Sequence, residues 1–358
     1  MRHPRRPSKP NASSAPTWKY LVFSSWITLS IIGYFVLFPS SASTSGSLST
    51  TSQNSVSRSY STPVPNHILV AVLPSHLIPS SHKEFNRRMH SIKKTWGKQV
   101  ETVFFSREHE QQDSQDIVRI YAAYQMHPLA TVHFALVTLY ERYPNRKWYF
   151  IASELTYVIP ENLERLVETL DSSQEVFLGN RYVASGKSHP YVDGNAGYLL
   201  SFKALEKIVR IWDLVYPDCF SKFQENTAFE PDFVIARCFA TNGLYPTEPK
   251  SQSILFHPFS PLTLTRGHTD AWYATFKRRV ISDGTLCCSI HSISFHFVDS
   301  LETEQMYDML HNPSKYLAQS PEQLANNWKS SHLSGDHFPP PTSEDEQFWK
   351  LLLEHIKA

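Results

Sequence analysis

The sequence predicts an α/β fold: a mostly parallel mixed sheet flanked by helices, preceded by one membrane-spanning helix. Three observations predict it. Short apolar runs bounded by turn formers alternate with amphipathic stretches of helical length. The 358 residues are 41% hydrophobic, enough for one sizeable core. Near the N-terminus, a long uncharged apolar run follows directly on a basic tail.

That tail, residues 1–19, carries Arg2, Arg5, Arg6, Lys9 and Lys19 and no acidic residue. The run after it, Tyr20 to Phe38, is free of charge and about long enough to cross roughly 30 Å of hydrocarbon as a helix. A cleaved signal peptide has a shorter apolar core of about 7–15 residues, so the run reads as an uncleaved signal anchor. With the basic flank in the cytosol, everything beyond it faces a lumen. Residues 39–65 are dominated by Ser and Thr; such a segment buries too little surface to offset its ordering entropy and reads as a stem. The lumenal domain is expected over 66–318. A tail over 319–358, containing Pro339, Pro340 and Pro341, shows no periodicity.

Within the domain, HILVAVLP (67–74) reads as a buried strand and 83–96 as a basic amphipathic helix. TVFF (102–105) is the next strand, 133–143 a helix, and WYFIA (148–152) a further buried strand. Pro160 opens the helix ENLERLVETL, where its missing N–H is not needed. Strands at 176–179 and 198–201 and helices at 202–212 and 232–241 complete the series.

Charge excludes one class of function. The formal net charge is +1, from 34 basic and 33 acidic side chains, so no basic footprint for nucleic acid exists. Four cysteines, Cys219, Cys238, Cys287 and Cys288, lie beyond the anchor. In an oxidising lumen they suggest two disulfides. Adjacent Cys287 and Cys288 would close a strained ring, which leaves the two cross-pairings with Cys219 and Cys238.

Several local strings occur in one order: MHSIKKTWG (89–97), VFFS (103–106), LTYVIPENL (155–163), GNAGYLLS (194–201), FHPFSP (256–261) and CCSIHSISFHFVDS (287–300). Together they resemble glycosyltransferase family 31, in the branch of core 1 β1,3-galactosyltransferase and its inactive chaperone relative. The resemblance covers about residues 67–312 and implies a GT-A fold, a Rossmann-like nucleotide-sugar domain with its cleft at the carboxyl ends of the strands. It implies UDP-galactose as donor, a GalNAc-bearing glycoprotein as acceptor, inversion at the anomeric carbon, and Mn²⁺ on an Asp-x-Asp motif. It also implies a type II membrane protein of the Golgi or ER, as a homodimer or in complex with a related galactosyltransferase.

The resemblance assigns site residues one by one. Asp232 matches the catalytic base, although an Asp at the start of a helical stretch is also a common N-cap. His257 matches a metal ligand. Arg181 matches an arginine near the diphosphate, and Trp272 and Tyr273 an aromatic pair on the acceptor side, where core packing is the alternative reading. Gly194, Asn195, Ala196 and Gly197 match the segment that approaches the sugars, with Asn195 in place of a glycine. At the Asp-x-Asp position the chain instead reads Ser153-Glu154-Leu155. A leucine offers no oxygen to a hard cation, so only Glu154 remains as a carboxylate, on the strand face that points away from the outer two positions. Two readings follow: a β1,3-galactosyltransferase, or a pseudoenzyme that serves as a folding or binding partner of one.

Overall fold

The computed structural model describes residues 67–75, 81–107, 116–121, 125, 128–182, 190–215, 231–247, 254–261, 291–317 and 319. All of them belong to the unit Arg58–Ala358. The anchor, the stem and nearly all of the C-terminal tail lie outside the described residues, as do Cys219, Trp272, Tyr273, Cys287 and Cys288. Among the described residues no helix is long and apolar enough to cross a membrane.

The domain opens with β1 (Ile68–Leu73), whose six side chains are all buried. A run that is apolar at every position suits a strand covered on both faces, and β1 lies between β2 (Glu101–Ser106) and β4 (Trp148–Ser153), parallel to both. β3 (Ile117–Arg119) extends the parallel set beside β2. On the other side of β4 come β7 (Tyr191–Ser201) and β6 (Phe177–Tyr182), both antiparallel. The strand order is therefore β3-β2-β1-β4-β7-β6.

The helices follow their sequence signals. α1 (His82–Lys94) starts in a capping box, with Ser81 and Glu84 bonding each other's backbone N–H, worth about 1 kcal/mol. Phe85, Met89 and Ile92 form its buried stripe, and Arg88 lies on the same face. A short 3₁₀ turn (Trp96–Lys98) leads into β2. α2 (Pro128–Arg142) precedes β4, and α3 (Pro160–Glu168) has proline at its first turn as expected. α4 (Phe202–Val215) and α5 (Pro231–Ala240) pack with α2 and against β7. α6 (Ser300–His311), capped by the Asp299 carboxylate on the N–H groups of Leu301 and Glu302, packs on α1. α7 (Pro313–Leu317) follows it.

The sequence placed only Tyr198–Ser201 in the strand that the structure extends back to Tyr191. Its glycines hid the rest. The β6–β7 ladder absorbs them through a register shift between Gly179 and Asn180. Gly197 holds φ +80°, and a Cβ there would lie 2.6 Å from Cζ of Phe150. Glycine is required at that position by conformation and by space.

A second sheet has the order β5-β9-β8, built from β5 (Tyr157–Val158), β9 (Ser294–Phe295) and β8 (Phe256–His257). Phe256 stacks on Phe150 of the main sheet, with centroids 6.1 Å apart. His257 is buried, stacks on Phe295 at 4.5 Å, and its Nε2 meets Ser292 Oγ at 2.8 Å. Desolvation lowers its pKa from 6.5 to about 3, so the ring is neutral at neutral pH.

One buried ion pair ties the elements together. Glu154, at the end of β4, places Oε1 3.4 Å from Nη1 of Arg88, and its Oε2 accepts from the backbone N–H of Ser75, just beyond β1. Its own N–H donates to Leu73 O at 3.0 Å. Side-chain exposure is 6% for Arg88 and 0% for Glu154, so neither charge is screened by water.

Two outcomes follow. Glu154→Gln leaves the Arg88 guanidinium buried without its counter-charge and lowers the unfolding free energy by about 3–5 kcal/mol, read by urea denaturation; a change within about 0.5 kcal/mol, the range of ordinary surface substitutions, contradicts the pairing. Because the His257 pKa is depressed, the unfolded chain binds a proton that the folded chain refuses in the window from 6.5 down to about 3. Stability contributed by this residue is complete above that window and falls by about 1.4 kcal/mol per pH unit within it. Between about pH 7.5 and about pH 5 the native chain therefore loses about 2 kcal/mol more than a His257→Phe variant.

Candidate functional site

In the main sheet the chain passes from β1 outward to β2 and β3, then returns to the other side of β1 as β4. The carboxyl ends of β1 and β4 thus flank the point where the strand order reverses. There the connecting segments diverge and leave a crevice, the usual place for a ligand in an open α/β sheet. A cleft lies at that point. Its floor is Leu73, Pro74 and Ser75 after β1 and Ile151, Ala152 and Ser153 of β4. Gly194, Asn195 and Tyr198 of β7 form one wall; Arg107, Pro128, Thr131 and Val132 form the other.

The turn after β4 is fixed by its own hydroxyls. Ser153 Oγ accepts from the Leu155 N–H at 3.1 Å, a turn in which a side chain replaces a backbone acceptor. Thr156 Oγ1 accepts from the Ser153 N–H at 3.2 Å, lies 3.0 Å from Ser153 Oγ, and donates to Asn195 O at 3.1 Å. Thr156 thereby holds the turn against β7. Leu155 is fully buried.

The structure brings together part of the expected site. Ser153, Gly194 and Asn195 share the cleft. Glu154 does not line it: its carboxylate is directed to Arg88 and Ser75. His257 is likewise elsewhere, inside the second sheet with Nε2 committed to Ser292. The two residues expected to hold Mn²⁺ thus face no common space, because burial has given each a structural partner. Arg181, paired with Val192 in the β6–β7 ladder, is not among the cleft residues. Ala196 is buried and its carbonyl accepts from Ser294 Oγ, while Gly197 packs on Phe150. Asp232 sits in the first turn of α5, and its side chain lies outside the described residues. Cys238 is buried and disulfide-bonded.

Three residues escaped the sequence reading. Arg107 follows directly on β2, which ends at Ser106, and a charged residue at the carboxyl end of a parallel strand is the available signal. Thr131 lies in the first part of α2, which starts earlier than the apolar periodicity suggested. His296 stands in the string SFHFVDS. It is fully buried, with Nδ1 3.4 Å from Ser153 Oγ. The chain turns there through Phe297 at φ 56°, a left-handed conformation costing about 1–2 kcal/mol for a non-glycine residue.

The fit to a divalent cation can be judged from these donors. Mn²⁺ in such a site takes carboxylate oxygens and imidazole nitrogen. Among the described residues no carboxylate lines the cleft, the Ser153 hydroxyl is engaged within its own turn, and position 155 is aliphatic. Among the described residues no group of three or more His, Cys, Asp or Glu side chains could hold a metal ion. The donor set does not fit Mn²⁺.

Comparison with known proteins bears on the family. Residues 66–269 match the model of the Fringe-like family. A curated glycoprotein-N-acetylgalactosamine 3-beta-galactosyltransferase 1 of Xenopus laevis is 29% identical over 172 residues, 46% of this chain and 44% of that relative. The match therefore spans less than half of the relative's length. Among solved structures, a glycosyltransferase involved in glycosylation of the major capsid of PBCV-1 is 12% identical, covering 68% of this chain and 98% of its own, with a TM-score of 0.31. The apo-form glycosyltransferase GlyE of Streptococcus pneumoniae TIGR4 is also 12% identical, over 66% of this chain and 55% of its own, with a TM-score of 0.36. At these scores the two structures add nothing to the assignment. The family match covers more than half of the chain, and its order of strings agrees with it: this protein belongs to the Fringe-like family, within glycosyltransferase family 31.

Proposed function

We propose that this chain is a glycosyltransferase of protein O-glycosylation that binds UDP-galactose in the cleft between β1 and β4 and transfers galactose to the 3-hydroxyl of GalNAc on Ser or Thr, without Mn²⁺. The observation that carries the reading is the cleft itself, at the strand-order reversal and lined by Ser153, Gly194 and Asn195. In the reaction the acceptor oxygen bonds to the anomeric carbon as the bond from that carbon to UDP breaks, which inverts the centre. The acceptor proton passes to a carboxylate, assigned to Asp232, and the electron pair leaves with UDP. The GT-A architecture, the type II anchor over 20–38, the Ser/Thr stem over 39–65 and Golgi or ER residence belong to the same proposal. So do a second disulfide, a cross-pairing of Cys238 and Cys219 with Cys287 and Cys288, and Trp272 and Tyr273 against the acceptor sugar.

A second reading is favoured by one specific feature. The turn Ser153-Glu154-Leu155 keeps its fold while presenting no carboxylate to the cleft. That is the pattern of a pseudoenzyme that retains the shape of a transferase, alone as a homodimer or in complex with a related galactosyltransferase.

Assay of the purified chain with UDP-galactose and a GalNAc-peptide separates the two. The transferase reading expects turnover that is the same with Mn²⁺ or with EDTA, and a loss of about 100-fold or more in Asp232→Asn, the scale of a removed general base. No turnover of any nucleotide sugar in either condition defeats it. The pseudoenzyme reading expects a related galactosyltransferase to gain soluble, active protein on co-expression with this chain and to co-purify with it. Full activity without the chain, and no co-purification, sinks that alternative.

A further inference from the structure

Arg107 is the single charged side chain among the described residues that line the cleft. Its position is set by the backbone. β2 ends at Ser106, where Ile120 N–H donates to Ser106 O at 2.8 Å. One side chain, Gln125, then donates through Nε2 both to Arg107 O and, at 2.7 Å, to Ile120 O. The Arg107 main chain is thus clamped at the carboxyl end of β2 while its side chain enters the cleft wall. Its Nε is shielded from solvent and has no hydrogen-bond partner among the described residues. A shielded guanidinium N–H on a residue that lines the cleft is an incomplete arrangement, since a buried donor left unmade is costly. An anion with oxygens in one plane completes it, because the guanidinium presents parallel donors in a rigid fork.

We propose that Arg107 receives the diphosphate of the nucleotide sugar and replaces, with a fixed protein cation, the charge neutralisation that a carboxylate-held metal supplies elsewhere. The inference rests on the nucleotide-sugar reading of the cleft and names the group that makes it metal-independent. The chemistry is consistent on three counts. The diphosphate is the most highly charged part of the donor, and none of the described residues lining the cleft carries a carboxylate. The hydroxyl-bearing residues Ser75 and Thr131 line the same space. Lastly, the floor at Leu73, Ile151 and Ala152 is apolar, which strengthens an ion pair formed against it by excluding water.

Isothermal titration of the full chain with uridine, UDP and inorganic pyrophosphate, each in EDTA and in Mn²⁺, tests this. Pyrophosphate and UDP are expected to bind in EDTA as tightly as in Mn²⁺. Arg107→Gln is expected to weaken both by roughly 10- to 100-fold, the scale of a lost charge-assisted pair, and to leave uridine unchanged. Arg107→Lys keeps the charge without the fork and is expected to lose several-fold; it carries the test where the glutamine variant does not fold. Unchanged pyrophosphate affinity in both variants, or binding only with Mn²⁺, overturns the role of Arg107 and leaves the nucleotide-sugar reading standing. Pyrophosphate binding that depends on Arg107 while uridine and UDP gain nothing over it supports Arg107 as an anion site and counts against the nucleotide-sugar reading instead.

Discussion

The structure depends on a charge pair that water does not reach. Arg88 lies on the buried stripe of α1, between Phe85 and Met89, and a guanidinium there requires a compensating anion. Glu154 supplies it, and the same carboxylate accepts the Ser75 N–H. Three elements, α1, the segment after β1 and the end of β4, are thereby fixed around one side chain. The cost of desolvating both charges is offset only because each has a partner within reach. The functional consequence is direct: the one acidic side chain of the turn after β4 is committed to the scaffold and is absent from the cleft that the turn borders.

That commitment decides the character of the site. The cleft lies where the strand order of the parallel sheet reverses, so it is placed for a ligand by topology alone. What such a cleft binds is set by its lining, and the described lining is one guanidinium, a few hydroxyls, an amide and aliphatic side chains. An anion suits it and a divalent cation does not. His257 makes the same point from the second sheet: burial holds it neutral and its Nε2 serves Ser292, so it acts as a packing and hydrogen-bonding residue.

Much of the fold was legible because its signals are local. β1 and most of β4 are continuous apolar runs, β2 carries the apolar Val103–Phe105, and Pro160 marks α3 at its first turn. β7 was legible only at its end, since Gly194 and Gly197 interrupt the apolar pattern and their reason is a neighbouring strand and the Phe150 ring. The second sheet was not legible: its strands are two residues long, and β5 pairs with a strand more than a hundred positions further on. The site was legible in its glycine-containing wall and in the loss of the aspartates. The partner of Glu154 is a tertiary one, although Arg88 at the spacing of Phe85, Met89 and Ile92 places a cation on an apolar face of α1. His296 stands within the string CCSIHSISFHFVDS and Arg107 one position beyond VFFS, while their meaning comes from tertiary neighbours.

The central claim is that the Glu154 carboxylate belongs to Arg88 and leaves the cleft without a metal donor. Electron paramagnetic resonance of Mn²⁺ titrated into the purified chain, with and without UDP, reads this most directly. The account predicts that no Mn²⁺ signal becomes protein-bound with a dependence on residue 154. A stoichiometric bound signal that disappears in Glu154→Gln while the variant remains folded contradicts it.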